Sequence, residues 1–245
     1  MAGKVYLITG VNRGIGRGLF KFYASQPNNT VIGTVRDLKY AQELLEEPRG
    51  TDTSLIITKL DGSSKTDPYS AVEDIRSKGV DHIDVVISNA AVAKLFTLED
   101  LPIEVFEEHI TVNSVAVLLL YKATLPLLRA SASAKFTLIS AAGGSIGGFA
   151  GNKLPLGAYG GSKALANYLV VKMGAENDWL VTLCIHPGHV QTDMGELATD
   201  AFGLKVAPVT IDQCVKNTHE IIDKSTKEEH SGRFFNQTID SICPW

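Results

Sequence analysis

Tyr159 and Lys163 are the two residues of this sequence whose types and spacing point first to acid–base chemistry. Their segment has helical period, and residues four apart on a helix lie on the same face. A lysine ammonium held beside a phenol lowers the phenol pKa from its ordinary value of about 10, so the phenol becomes a usable proton donor. The same spacing is also common for surface pairs on amphipathic helices. The chemistry of the pair therefore depends on the elements around it.

The segment 9–16, Thr-Gly-Val-Asn-Arg-Gly-Ile-Gly, directly follows a short apolar run and begins a stretch of helical period. Glycines let a backbone approach a ligand closely, and a helix N-terminus directs N–H groups and a positive dipole end at anions. The segment therefore predicts the pyrophosphate site of a dinucleotide, with a plain strand-to-helix turn as the alternative. The residues expected around the phosphates are Gly10, Asn12, Arg13, Gly14, Ile15 and Gly16.

Val35-Arg36-Asp37 ends the second predicted strand, where a dinucleotide-binding fold contacts the adenosine ribose. An acidic residue there accepts hydrogen bonds from the ribose of NAD, whereas an arginine can pair with the 2′-phosphate of NADP. Arg36 therefore favours NADP(H) over NAD(H), and Arg13 could add a second positive charge from the phosphate loop. Asp37 keeps NAD open, and both arginines could instead be solvated surface residues.

Short runs rich in β-branched residues alternate with segments of helical period along the whole chain. This alternation is typical of a parallel sheet with crossover helices on both faces. We expect an α/β fold, a Rossmann-like doubly wound parallel sheet of about seven strands, in a single domain over residues 1–245. The predicted strands are 5–8, 30–35, 55–60, 83–88, 135–140, 180–186 and 233–235, and the predicted helices are 15–25, 38–46, 68–77, 102–128, 159–176 and 211–224.

Two longer connections, 141–158 and 187–208, are rich in glycine and contain no predicted element. Long loops of compact domains are often lids or binding walls. We therefore expect these two loops to face the substrate.

The composition excludes several classes of partner. With 245 residues, 44% of them hydrophobic and 20% charged, the chain can bury a large core. Its 23 Lys and Arg against 27 Asp and Glu give a net charge of −4, and no long basic run offers a surface for nucleic acid or an anionic membrane. We recognise no signal peptide and expect no apolar stretch long enough to span a bilayer. A small molecule is the expected partner.

Cys184, Cys214 and Cys243 are far apart and form no C-x-x-C pair, which suits a reducing compartment and predicts a cytoplasmic protein. Cys184, His186 and His189 fall close together in the sequence. No fourth ligand stands at a spacing familiar from zinc sites, so we predict structural histidines and no metal.

The order of these motifs along the chain resembles that of the short-chain dehydrogenase/reductase family, and the likeness covers nearly the whole chain. The matching parts are the phosphate loop 9–16, Asp61, the Ser-Asn-Ala-Ala segment 88–91, Asn113, the Tyr159–Lys163 pair and the Pro-Gly-His-Val-Gln-Thr segment 187–192. The resemblance implies an oxidoreductase that reduces a ketone or aldehyde with NADPH, or oxidises the matching alcohol. Loop 141–158 and the terminal Pro-Trp look similar to fungal ketoreductases of the norsolorinic acid reductase type and to related small carbonyl reductases. The family often forms homodimers or homotetramers, and both states stay open here.

The same resemblance implies a role for each matching residue. Tyr159 would protonate the carbonyl oxygen, Lys163 would hold the nicotinamide ribose, and Asn113 would support a water path to Lys163. The other cofactor contacts that it implies are Asn89 and Asp61 for the ribose and adenine, and Val190 and Thr192 for the nicotinamide carboxamide. Asn89 and Asp61 could also be ordinary turn residues.

Ala141 departs from the family pattern. The family places a serine just past the fifth strand to hold the substrate oxygen, and ungapped counting puts Ala141 there. Ser140 is one residue early, and successive strand residues point to opposite faces unless the strand has ended or bulges. We name Ser140 as a candidate catalytic residue, with Ser145 as a second candidate. The missing serine also keeps open a non-redox cyclisation or isomerisation, and a dinucleotide-sensing protein with little turnover.

Overall fold

The computed structural model describes residues 3–199, 201 and 203–245. The described strands are β1 (Val5–Thr9), β2 (Thr30–Val35), β3 (Ser54–Lys59), β4 (Val85–Ser88), β5 (Lys135–Ile139), β6 (Val181–His186), β7 (Arg233–Asn236) and β8 (Thr238–Ile242). They form one sheet in the order β3-β2-β1-β4-β5-β6-β7-β8, in which the first seven strands are parallel and β8 pairs antiparallel with β7. The strand order reverses between β1 and β4, and such a switch opens a crevice at the carboxyl ends of the strands.

Helices cover both faces of this sheet. Those described are α1 (Gly14–Ser25), α2 (Ala41–Leu45), α3 (Asp67–Ser77), α4 (Ile103–Ile110), α5 (Ala116–Arg129), α6 (Gly157–Ala175), α7 (Asp193–Thr199), α8 (Ile211–Lys224) and α9 (Lys227–His230). Leu7 and Leu138 lie in a buried cluster with residues of α3, α5 and α6, whereas Ile8 and Ile185 lie in a second cluster with residues of α1 and α8. Because alternate strand residues face opposite layers, the sheet separates two cores, as the apolar strands predict.

Three elements, β8, α7 and α9, were not predicted from the sequence. β8, Thr-Ile-Asp-Ser-Ile, is an edge strand with alternating half-buried and exposed residues, and it lacks the apolar run by which the other strands were predicted. α7 lies inside 187–208, so the interpretation of that whole segment as a loop is wrong. A Cβ on Gly195 would lie 1.9 Å from the carbonyl oxygen of Val190, so this helix depends on a close backbone approach. Such an approach leaves no apolar periodicity in the sequence.

α4 and α5 are joined by one π-helical turn, Thr111–Val115, into a continuous helix. The prediction of a helix over 102–128 is confirmed, and the π-turn is of a kind frequent at functional sites. Length and composition alone would let Ile103–Arg129 cross a membrane, although residues such as Asn113 and Lys122 interrupt its apolar stretch. In the fold, Leu120 and Leu127 of this helix lie in the buried cluster shared with α3 and α6. Part of its apolar surface is therefore used in the core, whereas Ile103, Phe106 and Leu118 are exposed.

Candidate active site

The phosphate loop connects β1 to α1 through a backbone shape that favours glycine. Gly10 has a φ of +73° and Gly14 a φ of +58°, both in the left-handed region. A Cβ on Gly16 would lie 2.3 Å from the carbonyl oxygen of Gly10. α1 begins with no side-chain cap and no acidic residue in its first turn, so its first N–H groups stay available to an anion. This geometry fits a dinucleotide pyrophosphate.

Thr9 and Asn89 hold the phosphate loop against the end of β4. Thr9 Oγ1 accepts hydrogen bonds from the backbone N–H groups of Asn89 and Ala90, at 2.9 and 3.0 Å. The Asn89 side-chain amide donates to the carbonyl oxygen of Thr9 at 2.8 Å. Asn89 therefore joins the carboxyl ends of β1 and β4, and its contact with the cofactor stays a prediction. Sequence reasoning did not single out the Thr9 side chain, since a threonine at a strand end is common.

Arg36 and Asp37 follow β2 and differ in their surroundings. Arg36 is exposed and forms no ion pair with any residue that the structure describes. Asp37 accepts a hydrogen bond from the backbone N–H of Lys39 at 3.0 Å and lies 3.0 Å from Lys39 Nζ. These contacts, the backbone hydrogen bond first, lower the pKa of Asp37. Arg36 is therefore available to an anion, whereas Asp37 is held by its neighbour.

The segment after β6 meets the phosphate loop across the crevice. A Cβ on Gly14 would lie 3.4 Å from Thr192 Cγ2. The Thr192 hydroxyl accepts a hydrogen bond from the backbone N–H of Gly195 at 3.1 Å, while Val190 is buried. Arg13 forms an ion pair with Asp193 at the start of α7. The structure thus places Thr192 against the phosphate loop, and contact of Val190 and Thr192 with a nicotinamide stays a prediction.

Asp61 forms a turn directly after β3. Its Oδ1 accepts hydrogen bonds from the backbone N–H and the hydroxyl of Ser63, at 2.9 and 2.8 Å. A Cβ on Gly62 would lie 3.1 Å from Val112 Cγ1, so this turn packs closely on the π-helical turn. Contact between Asp61 and an adenine stays a prediction.

Tyr159 and Lys163 lie at the start of α6, with Lys163 Nζ 5.8 Å from the centroid of the Tyr159 ring. Lys163 is buried and Nζ donates to the carbonyl oxygen of Ile139 at 2.8 Å. Tyr159 is half-buried, and its hydroxyl forms no hydrogen bond with a residue in the described part of the chain. Burial raises the pKa of Tyr159 to about 12 and lowers that of Lys163 to about 8.

These values correct one expectation. The pKa of Tyr159 is raised by burial rather than lowered by Lys163, whose ammonium is directed at the carbonyl oxygen of Ile139. Desolvation disfavours the charged form of each group, the phenolate of Tyr159 and the ammonium of Lys163. Tyr159 is therefore a protonated acid at neutral pH in this arrangement.

A tight turn after β5, Ala142–Gly144, packs against α6 and helps to position the pair. A Cβ on Gly160 would lie 2.6 Å from the carbonyl oxygen of Gly143, and one on Gly144 would lie 2.8 Å from Lys163 Cβ. Glycine at these positions lets the turn and the helix approach, so the end of β5 lies directly beside the Tyr159–Lys163 pair.

The sequence of residues 4–201 matches a family model described as short chain dehydrogenase. This chain belongs to the short-chain dehydrogenase family. A norsolorinic acid ketoreductase of Dothistroma septosporum is 44% identical over 246 residues, which cover 98% of this chain and 92% of that protein. A second norsolorinic acid ketoreductase, from Emericella nidulans, is 40% identical and covers 98% and 93%. The resemblance in the sequence is confirmed, and the chain is an oxidoreductase by family.

Solved structures of the short-chain dehydrogenase fold agree with the architecture. An NADPH-bound carbonyl reductase from chicken fatty liver superposes with a TM-score of 0.86 at 26% identity, over 100% of both chains. The carbonyl reductase Sniffer of Drosophila melanogaster superposes with a TM-score of 0.85 at 24% identity, again over 100% of both chains. The predicted Rossmann-like fold is confirmed.

Asn113 lies in the π-helical turn of this short-chain dehydrogenase and is fully buried. Its side chain accepts from the backbone N–H of Val92 and donates to the Val92 carbonyl oxygen, both at 2.9 Å. It also donates to Ser162 Oγ at 3.0 Å. Asn113 therefore joins the loop after β4 to α6, and its water path to Lys163 stays a prediction. Sequence reasoning missed Ser162, although a serine between Tyr159 and Lys163 could have marked it.

Ser140 is buried, and its hydroxyl donates to Asn167 Oδ1 at 2.6 Å. Its backbone N–H still donates to the carbonyl oxygen of Ile185 in β6, at 2.7 Å, so the strand pairing continues through this residue. The side chains of Ser140 and Ala141 therefore point to opposite faces of the strand. Ser140 is buried, whereas Ala141 is half-buried. No described hydrogen bond joins Ser140 to Tyr159. The catalytic role of Ser140 stays a prediction.

Ser145, the second candidate, anchors the end of the chain. Its hydroxyl donates to the carbonyl oxygen of Pro244 and accepts from the backbone N–H of Gly148 at 2.9 Å. The ring of Trp245 stacks on Phe234 with centroids 5.5 Å apart. We name the residues 243–245 the C-terminal tail, and it folds back on loop 141–158.

The remaining predicted features are placed as follows. Cys184 lies in the core under α6, whereas His189 Nε2 donates to the carbonyl oxygen of Gly195 at 2.7 Å. Residues 3–199, 201 and 203–245 contain no group of three or more His, Cys, Asp or Glu that could hold a metal. A cavity of about 370 Å³ is lined by Gln191, Glu196, Thr199, Lys205, Val206 and Ala207. Its described walls come from 187–208 itself, so the substrate-facing role of that segment stays a prediction.

Proposed function

We propose that this protein is an NADPH-dependent reductase of a ketone or aldehyde, or oxidises the matching alcohol, with Tyr159 as the acid or base. The observation that carries the proposal is the half-buried Tyr159 beside the buried Lys163. The Tyr159 hydroxyl forms no hydrogen bond with any described residue. The relatives named as ketoreductases favour a ketone over an aldehyde.

The residues present can perform the proton half of this reaction. When bound, a reduced nicotinamide supplies a hydride to the carbonyl carbon. Tyr159, with its pKa raised to about 12, holds its proton at neutral pH and donates it to the carbonyl oxygen, so the product is an alcohol. After each reduction the Tyr159 phenolate takes a proton back, and Lys163, with a pKa lowered to about 8, is close enough to neutral pH to supply it. In oxidation the phenol first gives up its own proton, and the resulting phenolate accepts the alcohol proton.

The preference for NADP(H) is supported by the end of β2. Arg36 is exposed and without a described ion-pair partner, whereas the Asp37 carboxylate is held by Lys39. A guanidinium pairs well with a phosphate, and a committed carboxylate accepts hydrogen bonds from a ribose less readily. The chicken carbonyl reductase of the same fold is NADPH-bound.

Replacement of Tyr159 tests the acid role. We expect Tyr159→Phe to lower kcat for NADPH-dependent reduction by roughly 10²- to 10⁴-fold, because general acid catalysis contributes about that much. The absorbance of NADPH, followed against a panel of ketones and aldehydes, measures it. Tyr168→Phe is the matched control, since Tyr168 is exposed on the same helix. Full activity of Tyr159→Phe would refute the assigned role.

A non-redox cyclisation or isomerisation is not favoured. The relatives are named as ketoreductases, and the residues of proton transfer are all present. The same assay separates the two reactions, because a non-redox reaction forms product without net consumption of NADPH.

A further inference from the structure

His109 lies fully buried on α4, one turn before Asn113, and both of its ring nitrogens contact main-chain groups. Nδ1 lies 2.7 Å from the carbonyl oxygen of Val105, which can only accept, so Nδ1 carries a hydrogen. Nε2 accepts a hydrogen bond from the backbone N–H of Lys94 at 3.0 Å, so Nε2 carries none. The two contacts select one neutral tautomer of the ring.

The partner of His109 belongs to the loop that follows β4. Asn113 binds the backbone N–H and the carbonyl oxygen of Val92, and His109 binds the backbone N–H of Lys94 two residues further along. Two side chains of the helix Ile103–Arg129 therefore hold the main chain of this loop, at Val92 and at Lys94. No other described side chain binds the Lys94 N–H.

The same loop determines where α6 begins. The backbone N–H of Phe96 donates to the carbonyl oxygen of Pro155 at 2.9 Å, and the N–H of Gly157 donates to the carbonyl oxygen of Phe96 at 3.3 Å. Gly157 is the first residue of α6, two positions before Tyr159. At its other end the loop begins at Asn89, which is bonded to Thr9 in the phosphate loop.

We propose that His109 is a positioning residue of the reductase: by accepting from the Lys94 N–H it holds loop 92–96, and through Phe96 it sets the position of Tyr159. The effect on turnover rests on the proposed carbonyl reduction, whereas the position of the loop does not. A displacement near 1 Å in a catalytic group can cost about 100-fold in rate, so a partly released loop is enough to be measured.

Two variants separate the acceptor from the rest of the ring. In His109→Gln the side-chain oxygen can take the place of Nε2 and keep the bond to Lys94. In His109→Asn the shorter amide reaches only the position of Nδ1, so the bond to Val105 is kept and the bond to Lys94 is lost. Glu108→Gln is the control, because Glu108 pairs only with the exposed side chain of Lys94.

Hydrogen exchange of the full chain gives the first readout and needs no substrate. We expect His109→Asn to speed exchange in 92–97 and 155–160 by about tenfold or more, while His109→Gln and Glu108→Gln match the wild type. Equal exchange in the Asn and Gln variants, whether both fast or both slow, overturns the proposal. The imidazole ¹⁵N spectrum of the wild type gives a further check that does not depend on the folding of any variant. A His109 ring with its hydrogen on Nε2 would also overturn the proposal.

Kinetics give the second readout. We expect kcat of His109→Asn to fall about tenfold with the KM for NADPH nearly unchanged, and His109→Gln to restore kcat. An unchanged kcat in a His109→Asn variant with fast exchange overturns the positioning role. If the wild type reduces no carbonyl compound, the proposed function fails alone, and hydrogen exchange still decides the role of His109.

Discussion

Ala141 stands where the resemblance to the family places the serine that holds the substrate oxygen. The residue before it, Ser140, is still paired with β6, and the Ser140 hydroxyl, on the other face of the strand, donates to Asn167 Oδ1. Pairing with Asn167 uses the one hydrogen of the Ser140 hydroxyl, so little is left to stabilise a substrate oxygen. The absence of a donor slows such a reaction without changing it.

We expect Ala141→Ser to raise kcat for carbonyl reduction by roughly tenfold, because an added donor near the developing charge stabilises the transition state. Steady-state kinetics with NADPH measure the change, and Ala142→Ser, one residue along, is the control. No gain in Ala141→Ser together with a large loss in Ser140→Ala would contradict this prediction and assign the donor to Ser140.

Arg36 allows a second prediction for a single residue. Arg36→Ala should raise the KM for NADPH by about 10- to 100-fold and leave the KM for NADH unchanged, because hydrogen bonds to charged groups are worth about 1.5–3 kcal/mol. The control is Arg129→Ala, since Arg129 lies over the ring of Trp179 at the other end of the strands. An equal loss for both cofactors would place Arg36 away from the 2′-phosphate.

Among the elements, loop 141–158 depends on the C-terminal tail. Ser145 binds Pro244, and the backbone N–H of Gly147 donates to the carbonyl oxygen of Trp245 at 2.7 Å. β7 holds the tail in place, since the N–H of Cys243 donates to the carbonyl oxygen of Phe234 at 2.7 Å. The expected substrate wall is thus joined to the edge of the sheet.

Ser145→Ala should lower the free energy of unfolding by about 1–2 kcal/mol, because a buried hydrogen bond is lost and its partner is left unsatisfied. Exchange of the amides in 146–149 should also become faster, and the KM for the carbonyl substrate should change more than that for NADPH. Ser77→Ala is the control, as Ser77 donates to a carbonyl oxygen on an exposed helix end. An unchanged substrate KM would show that the anchored loop does not contact substrate.

For the whole molecule, buried histidines make stability depend on pH. Burial, with a smaller contribution from His189, lowers the pKa of His186 to about 4, and burial lowers the pKa of His219. Both are neutral when folded but become protonated in the unfolded chain below about pH 6.5. The unfolded state therefore binds more protons, and the free energy of unfolding falls as the pH drops from about 6.5 towards 4.

The contribution of His186 to this fall should reach about 3 kcal/mol near pH 4. Urea unfolding at several pH values measures it, and His186→Asn should flatten the curve. His82→Asn, at a more exposed histidine, serves as the control and should leave most of the fall in place. A stability that rises as the pH falls through this range would contradict the assignment.

Much of the fold and part of the site could be predicted because they depend on short stretches of chain. The apolar runs of β1, β2 and β4 and the helical period of α1 and α8 are set by residues a few positions apart. The phosphate loop is equally local, since its glycines all fall within the segment 10–16. β8 and α7 were missed because neither has an apolar pattern of its own.

The sequence by itself determined the family, the parallel sheet and the positions of Tyr159 and Lys163 on one helix, because each depends on order and periodicity along the chain. Only the tertiary structure decided the partners of the polar side chains. Ser140 meets Asn167, Ser145 meets Pro244 and His109 meets Lys94 across separations that no local pattern encodes. It also decided that burial raises the pKa of Tyr159, because desolvation depends on everything packed around the phenol.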